Sequence, residues 1–242
     1  VVYSKNHDLM RTVGFVSVLS AVRNTKRGGL LFVAPPCGTW VFMSSSSTGR
    51  TWLDPTGFPT RCVTMANLFC MRLLYILWYA VQRGIHKCIE QPMTSVLFAW
   101  KPMRRFLMYV RARKVTFPMG AYGALTLKQT TLWGTLPNLC SLYRPLSAKL
   151  FMEALARTNT GGLVRKSVDK NGKKRVTGVK KKLAASAAYP RGFGIAIGDI
   201  IPGRGSRPDD FELDFTYPHA TDDLGALDDL RKGSFRAWWR KL

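Results

Sequence analysis

Two apolar runs in this 242-residue chain end in residues able to do chemistry. The first closes as Ala34-Pro35-Pro36-Cys37 and the second as Ile89-Glu90-Gln91-Pro92. A cysteine supplies a thiolate that is both a strong nucleophile and a competent leaving group, so it suits covalent addition followed by elimination. A carboxylic acid nearby can stabilise the charge that develops during such an addition. Both residues stand where a strand hands over to a loop, which is where open α/β sheets bind ligands. One loop and one helix fill the sequence separation of 53 residues, so Cys37 and Glu90 are expected to face one crevice.

The elements that must position this pair follow from pattern. Leu9 to Arg23 has helix-compatible spacing, broken by Lys26-Arg27-Gly28-Gly29. Residues 29–34 form a short, continuous apolar run rich in β-formers, as expected of a strand buried on both faces. Pro35-Pro36 ends it, because two prolines cannot continue a central ladder. Thr64 to Gln82 predicts a long, largely buried helix that stops at Gly84. His86 to Glu90 predicts the second strand. Strand, helix, strand of these lengths is a βαβ unit with parallel neighbours and a right-handed crossover. Ser95 to Val110 predicts another helix, and Val115 to Phe117 and Thr130 to Trp133 further strands. The expected fold is α/β, an open and mostly parallel Rossmann-like sheet with helices on both faces.

The charge points to a partner. Thirty-seven Lys and Arg against 14 Asp and Glu give +23. Residues 209–242 hold eight of the acids against five basic residues, which leaves +26 on residues 1–208. Such a field attracts polyanions, and nucleic acid is the commonest. Val164 to Lys182 carries nine basic residues and one acid around Asn171-Gly172, the strongest short hairpin signal. We read it as a basic β-ribbon whose Lys173, Lys174 and Arg175 clamp the phosphate backbone. The acidic segment Asp209 to Asp229 is expected to fold back onto that ribbon. Residues 1–150 thus form an α/β core, 151–202 a basic hairpin and returning core segment, and 203–242 a Pro/Gly-rich, then acidic tail.

Five scattered cysteines without a Cys-x-x-Cys pair, and three dispersed histidines, argue against a disulfide framework or a zinc site. Cys62, Cys70 and Cys88 are expected in the core, with Trp78. The apolar run Met65 to Val81 is 17 residues long and contains Asn67 and Arg72, so it is read as a buried helix and not a membrane span. The chain opens on Val1 with no signal peptide, which suggests a processed or truncated product outside the secretory route.

Four motifs, in order, resemble those of DNA (cytosine-5)-methyltransferases. Pro35-Pro36-Cys37 after an apolar strand resembles the family's nucleophile motif, and Glu90-Gln91-Pro92 its second catalytic motif, where Asn is usual in place of Gln91. Tyr122-Gly123 with Lys128, Thr130, Leu132 and Trp133 is similar to a pattern of some phage-type members. Ala188-Tyr189-Pro190 with Phe193 is similar to a late aromatic-Pro-x-x-Phe motif. The resemblance covers residues 30–135 and 183–197. The family's glycine-rich cofactor loop has no counterpart between Val1 and Gly28.

The resemblance implies S-adenosylmethionine as cofactor and a cytosine flipped out of DNA as target. It implies that Cys37 adds to carbon 6 while Glu90 acts at ring nitrogen 3. Pro36, Gln91 and Lys128 would help hold the target, and the segment Ser44 to Gly49 would close over it. DNA is the expected partner before RNA, in a nucleus or other DNA-containing compartment, with no membrane. Three readings stay open: a methyltransferase-like protein, active or lacking methyl transfer in this fragment; a non-catalytic nucleic-acid-binding protein; and a structural subunit of a nucleoprotein assembly.

Overall fold

A computed structural model describes residues 8–124, 126–158, 164–168, 172, 174–178 and 188–202. Helix α1 spans Thr12–Asn24, strand β1 Leu30–Val33, the short helix α2 Ser45–Thr48 and the long helix α3 Arg61–Gln82. Strand β2 spans His86–Pro92, helix α4 Lys101–Tyr109, β3 Arg113–Pro118 and β4 Gln129–Gly134. Helix α5 (Ala148–Thr158), the ribbon strands β5 (Val164–Val168) and β6 (Lys174–Gly178), and helix α6 (Arg191–Asp199) follow.

The protein is a mixed α/β structure around a four-stranded sheet of order β1-β2-β4-β3. The βαβ unit forms as its lengths required: β1 and β2 pair in parallel, Leu30 with His86 through Val33 with Ile89, and α3 makes the crossover. The expectation of a mostly parallel sheet is overturned. β4 runs antiparallel to both β2 and β3, so one pairing of three is parallel. Chain length explains this. Only residues 119–128 separate β3 from β4, and a parallel return needs a crossover of a dozen residues or more.

Side chains alternate between two layers. Leu31, Val33, Ile89 and Trp133 pack against the core built by α3, the turn Val96–Ala99 and α4. Leu30, Phe32, Cys88 and Leu132 pack on the other face with Val115, Phe117 and the apolar side of α6. α1 docks on α3 through Leu19 and Val22 against Ile76 and Tyr79. Arg72 of α3 reinforces this, its guanidinium donating to the Leu9 carbonyl at 2.7 Å.

α3 has length and apolarity enough to cross a membrane, but its second half belongs to the core. Cys70, Leu73, Leu74 and every residue from Ile76 to Ala80 are buried. Its first turns bury Val63 but expose Cys62, Met65 and Leu68, so the expected burial of Cys62 does not hold and the helix is largely buried from Cys70 onward. The helix expected over Ser95 to Val110 is divided at Trp100, whose backbone is extended (φ −61°, ψ 124°). Pro102 supplies the reason: it has no N–H to give to a carbonyl one turn back and its ring would clash with that carbonyl, so proline fits only the first turn of a new helix. The lid expected at Ser44 to Gly49 is instead the ordered helix α2, closed by Gly49 in the left-handed region (φ 68°).

β5 and β6 form the basic ribbon, antiparallel, with Val168 opposite Lys174 and five connecting residues. The connection is longer than a two-residue Asn-Gly turn. The acidic segment Asp209 to Asp229 lies outside the described residues.

Two glycines give opposite expectations. A Cβ on Gly134, in β4 opposite Cys88, would sit 2.6 Å from the Lys87 carbonyl oxygen. Gly134→Ala should therefore cost about 1–3 kcal/mol, seen as a lower urea midpoint, because strand backbone must move. A Cβ on Gly194, inside α6, meets nothing within 4 Å. Gly194→Ala should raise the midpoint by up to about 1 kcal/mol through helix propensity.

Candidate functional site

The parallel register of β1 and β2 sets Val33 beside Ile89, so the two chains leave the sheet at the same edge. Glu90 follows Ile89 directly, and Cys37 lies four residues beyond Val33. Strand alternation then decides the faces. Gln91 shares the side of Ile89, towards α3, and Glu90 shares the side of Cys88, Leu132 and α6.

Gln91 is fully buried, and its amide is occupied at both ends. Its Nε2 donates to the Pro35 carbonyl at 2.6 Å, and its Oε1 accepts from Ser95 Oγ at 2.8 Å. Ser95 Oγ accepts in turn from the Leu97 backbone N–H at 3.3 Å. A carboxylate or an alkyl side chain at this position could not both donate to Pro35 and accept from Ser95. The amide thus pins the segment that carries Cys37 to the strand that carries Glu90.

Glu90 is 4% exposed and has two partners. Tyr189 Oη donates to Oε2 at 2.7 Å, and Lys128 Nζ approaches Oε1 at 3.4 Å. The Tyr189 ring is held edge-on against Phe32 (centroids 5.9 Å apart) and beside Phe193 (5.5 Å). Burial, with the neighbouring Glu90 charge, pushes the Tyr189 phenol well above its usual range, so it stays a donor. The Thr130 hydroxyl, in the row of Leu132 and further towards the same sheet end, is buried without a hydrogen-bond partner among the described residues.

Cys37 is partly buried and belongs to the same electrostatic neighbourhood. Desolvation raises its thiol pKa above the ordinary value; the Lys128 charge lowers it and the Glu90 charge raises it. At rest it is therefore a protonated thiol with one cation opposing its burial. Pro36, next to it, is exposed. Cys70 and Cys88 are buried thiols pushed up to about 12 by desolvation, as inert core residues should be.

The loop after Cys37 is folded back on itself. The Cys37 carbonyl accepts from the N–H groups of Trp40 (2.8 Å) and Val41 (3.1 Å). The guanidinium of Arg50, 2% exposed, stacks 3.4 Å over the Trp40 ring and donates to the Pro55, Thr56 and Val63 carbonyls and to Asn67 Oδ1. Among the described residues no carboxylate forms an ion pair with it, although the Asp54 charge acts on it from a distance; carbonyl dipoles and the indole face supply its contacts. The loop beyond Cys37 is thus wound around a buried cation.

Cys37, Glu90 and Lys128 are thus brought together, with Gln91 behind them on the opposite face. Lys174 and Arg175 lie in β6, in a separate two-stranded sheet, opposite Val168 and Ser167; Lys173 lies outside the described residues. The pattern reading gave Tyr189 no role, although Ala188-Tyr189-Pro190 was visible as a motif. Its phenol reaches Glu90 across 99 residues, a contact no local pattern encodes. Thr130 stood in a motif but was given no role, and Ser95 carried no signal beyond being a polar residue near a strand. Among the described residues no group of three His, Cys, Asp or Glu could hold a metal ion. No protein-family model matches the chain, and no curated protein matches it.

The two charges beside Cys37 make its reactivity a readout of the cluster. Its alkylation by iodoacetamide, followed by peptide mass spectrometry, should be slower at pH 7.5 than that of the exposed Cys62 and should climb through pH 9 and above. Glu90→Gln should speed it and Lys128→Met should slow it, each by a factor of about 3–10 if the pair acts through a partly screened medium. Equal rates in all three proteins would mean the sulfur does not feel these charges.

Proposed function

We propose that this chain is a methyltransferase-like α/β domain that binds DNA and attacks an extruded cytosine through Cys37, with Glu90 as its acid. The observation that carries the reading is the buried Glu90 carboxylate, held by Tyr189 and Lys128 at the sheet edge where the Cys37 segment also leaves. A carboxylate with 4% exposure is costly to keep unless it is paired, and carboxylates so held concentrate at working sites. The Rossmann-like core is part of this proposal. Its support is the parallel βαβ unit formed by β1, α3 and β2, with helices on both faces and a single reversed strand, a common variation of doubly wound sheets.

The covalent step balances within the cluster and the base. As the Cys37 sulfur bonds to carbon 6 of cytosine, the thiol proton leaves and ring nitrogen 3 gains one. Glu90, ion-paired as a carboxylate at rest, accepts the thiol proton and passes it to nitrogen 3. Electron density then rests on carbon 5, ready for an electrophile. Lys128 offsets the negative charge during the transfer, and Tyr189 keeps one carboxylate oxygen fixed. Closing the base over Cys37 excludes water and strengthens each of these interactions. Gln91 acts as a positioning residue through Pro35. Thr130 offers the unsatisfied hydroxyl for the exocyclic group of the base.

S-adenosylmethionine would supply the methyl group in the related enzymes. The described residues do not fit its usual cradle: no strand here runs into a glycine-rich turn that opens a helix, since β1 ends in Pro35-Pro36. The reaction is therefore followed only to the addition. The raised Cys37 thiol favours a second reading, a nucleic-acid-binding protein that keeps the sheet as scaffold without methyl transfer.

DNA containing 5-azacytosine separates the two, because its ring nitrogen makes carbon 6 electrophilic enough to add a thiol without a methyl donor. The expected outcome is a denaturant-resistant protein–DNA adduct, lost in Cys37→Ala and slowed about 10²–10⁴-fold in Glu90→Gln. Salt-sensitive binding with no adduct would replace the enzymatic reading by the scaffold reading. If six ribbon cations meet phosphates, affinity should fall about a thousandfold between 50 and 200 mM salt.

A further inference from the structure

The opposite end of β2 carries a second polar group that the cytosine reading does not use. Lys87 is 7% exposed and makes no side-chain hydrogen bond or ion pair among the described residues. It lines an open groove of about 520 Å³ with Val81, Gly84, Ile85, Tyr109, Val110 and Thr135, and with His86 beside it. The groove lies beneath the C-terminal ends of α3 and α4. Carbonyls there that could have received an ammonium are taken by the helices' own caps: Ala80 by Ile85 N–H, Val81 by Gly84 N–H, Phe106 by Val110 N–H and Leu107 by Ala112 N–H. The titratable side chains that face the groove are His86 and Tyr109, and His86 Nδ1 is turned to the Thr135 carbonyl at 3.2 Å. Among the described residues no carboxylate lines it.

A largely buried lysine whose amine meets solvent only at the groove mouth and has no counter-ion loses much of its hydration, and it offsets that cost by giving up its proton. Burial alone lowers the Lys87 pKa to about 8. At pH 7 roughly one such amine in ten is then neutral, against about three in ten thousand for an ordinary lysine. The neutral amine is a nucleophile placed at the wall of a mainly apolar groove.

We propose that Lys87 forms a reactive-amine site that takes a small carbonyl compound, an aldehyde with an apolar or aromatic body, as an imine. The amine nitrogen bonds to the carbonyl carbon, the carbonyl oxygen takes up two protons and departs as water, and a carbon–nitrogen double bond remains. Both of those protons come from the amine nitrogen in the overall balance, so no oxidant or reductant is consumed. The Tyr109 ring and the Val81 and Val110 side chains offer the body of the ligand an apolar seat. The site is at the far end of the strand from Glu90 and does not depend on the chemistry proposed there.

The test uses the whole chain with benzaldehyde and cyanoborohydride, which reduces the imine to a stable benzyl-lysine, and mass spectrometry to place each label. At pH 7 Lys87 should be labelled at least tenfold faster than the median of the other lysines, with a rate that reaches half its maximum near pH 8. Lys87→Arg keeps the charge but cannot form the imine, so it should lose this fast label while the slow surface labelling persists. Lys87→Met removes the buried charge and should leave the unfolding midpoint unchanged or higher, which separates loss of label from loss of fold. Labelling of Lys87 at the rate of surface lysines, or a half-maximum above pH 10, would overturn the proposal.

Discussion

A single buried amide holds the reactive end of this molecule together. Gln91 donates to the Pro35 carbonyl and accepts from Ser95, so three separate pieces of chain meet in one hydrogen-bonded chain: the exit of β1, the end of β2 and the turn that leads to α4. Each bond is worth only about 0.5–1.5 kcal/mol net, but leaving any of these groups unpaired in the core would cost about 1–3 kcal/mol. The asymmetry makes the arrangement specific. Pro35 contributes no N–H of its own, which leaves its carbonyl as the natural acceptor at that point. Once the exit of β1 is tied to β2, the position of Cys37 relative to Glu90 follows from a few bonds of stiff, proline-restricted chain.

The two faces of β2 divide the labour. Odd-numbered residues from Lys87 to Gln91 look towards α3 and α4, and even-numbered residues from Cys88 to Glu90 look towards α6. The Glu90 side is closed by aromatic rings, Phe32, Tyr189 and Phe193, which exclude water from a carboxylate that then relies on Tyr189 and Lys128. The other side is closed by the apolar face of α3, and there the polar groups must be satisfied within the chain, as Gln91 is, or left costly, as Lys87 is. Arg50 shows a third solution. It has no ion-pair partner among the described residues, and it contacts carbonyls and an indole face while it organises the loop that follows Cys37.

The alternation of polar and apolar types made much of the scaffold legible before any coordinates. The apolar run ended by Pro35-Pro36, the long apolar helix and the run ended by Gln91-Pro92 required a βαβ unit, and β1, α3 and β2 form one. The reversal of β4 was less visible, because strand direction depends on connection length and not on the residues of the strand itself. The division of the Ser95 to Val110 helix was legible in Pro102 and was overridden by the helical periodicity on either side. The Ser-rich stretch at Ser44 to Gly49 read as a loop because serine favours turns, yet Ser45–Thr48 folds into a helical turn.

Local sequence determined which residues could react and which strands would carry them, because side-chain chemistry, proline stops and period-two burial are properties of short segments. Only the tertiary structure decided what those residues touch. Tyr189 meets Glu90 from almost a hundred positions away, Lys128 arrives just ahead of the returning strand, and Lys87 has no partner among the described residues. Contacts of that kind depend on which faces the packed layers bring together, and no spacing along the chain records it.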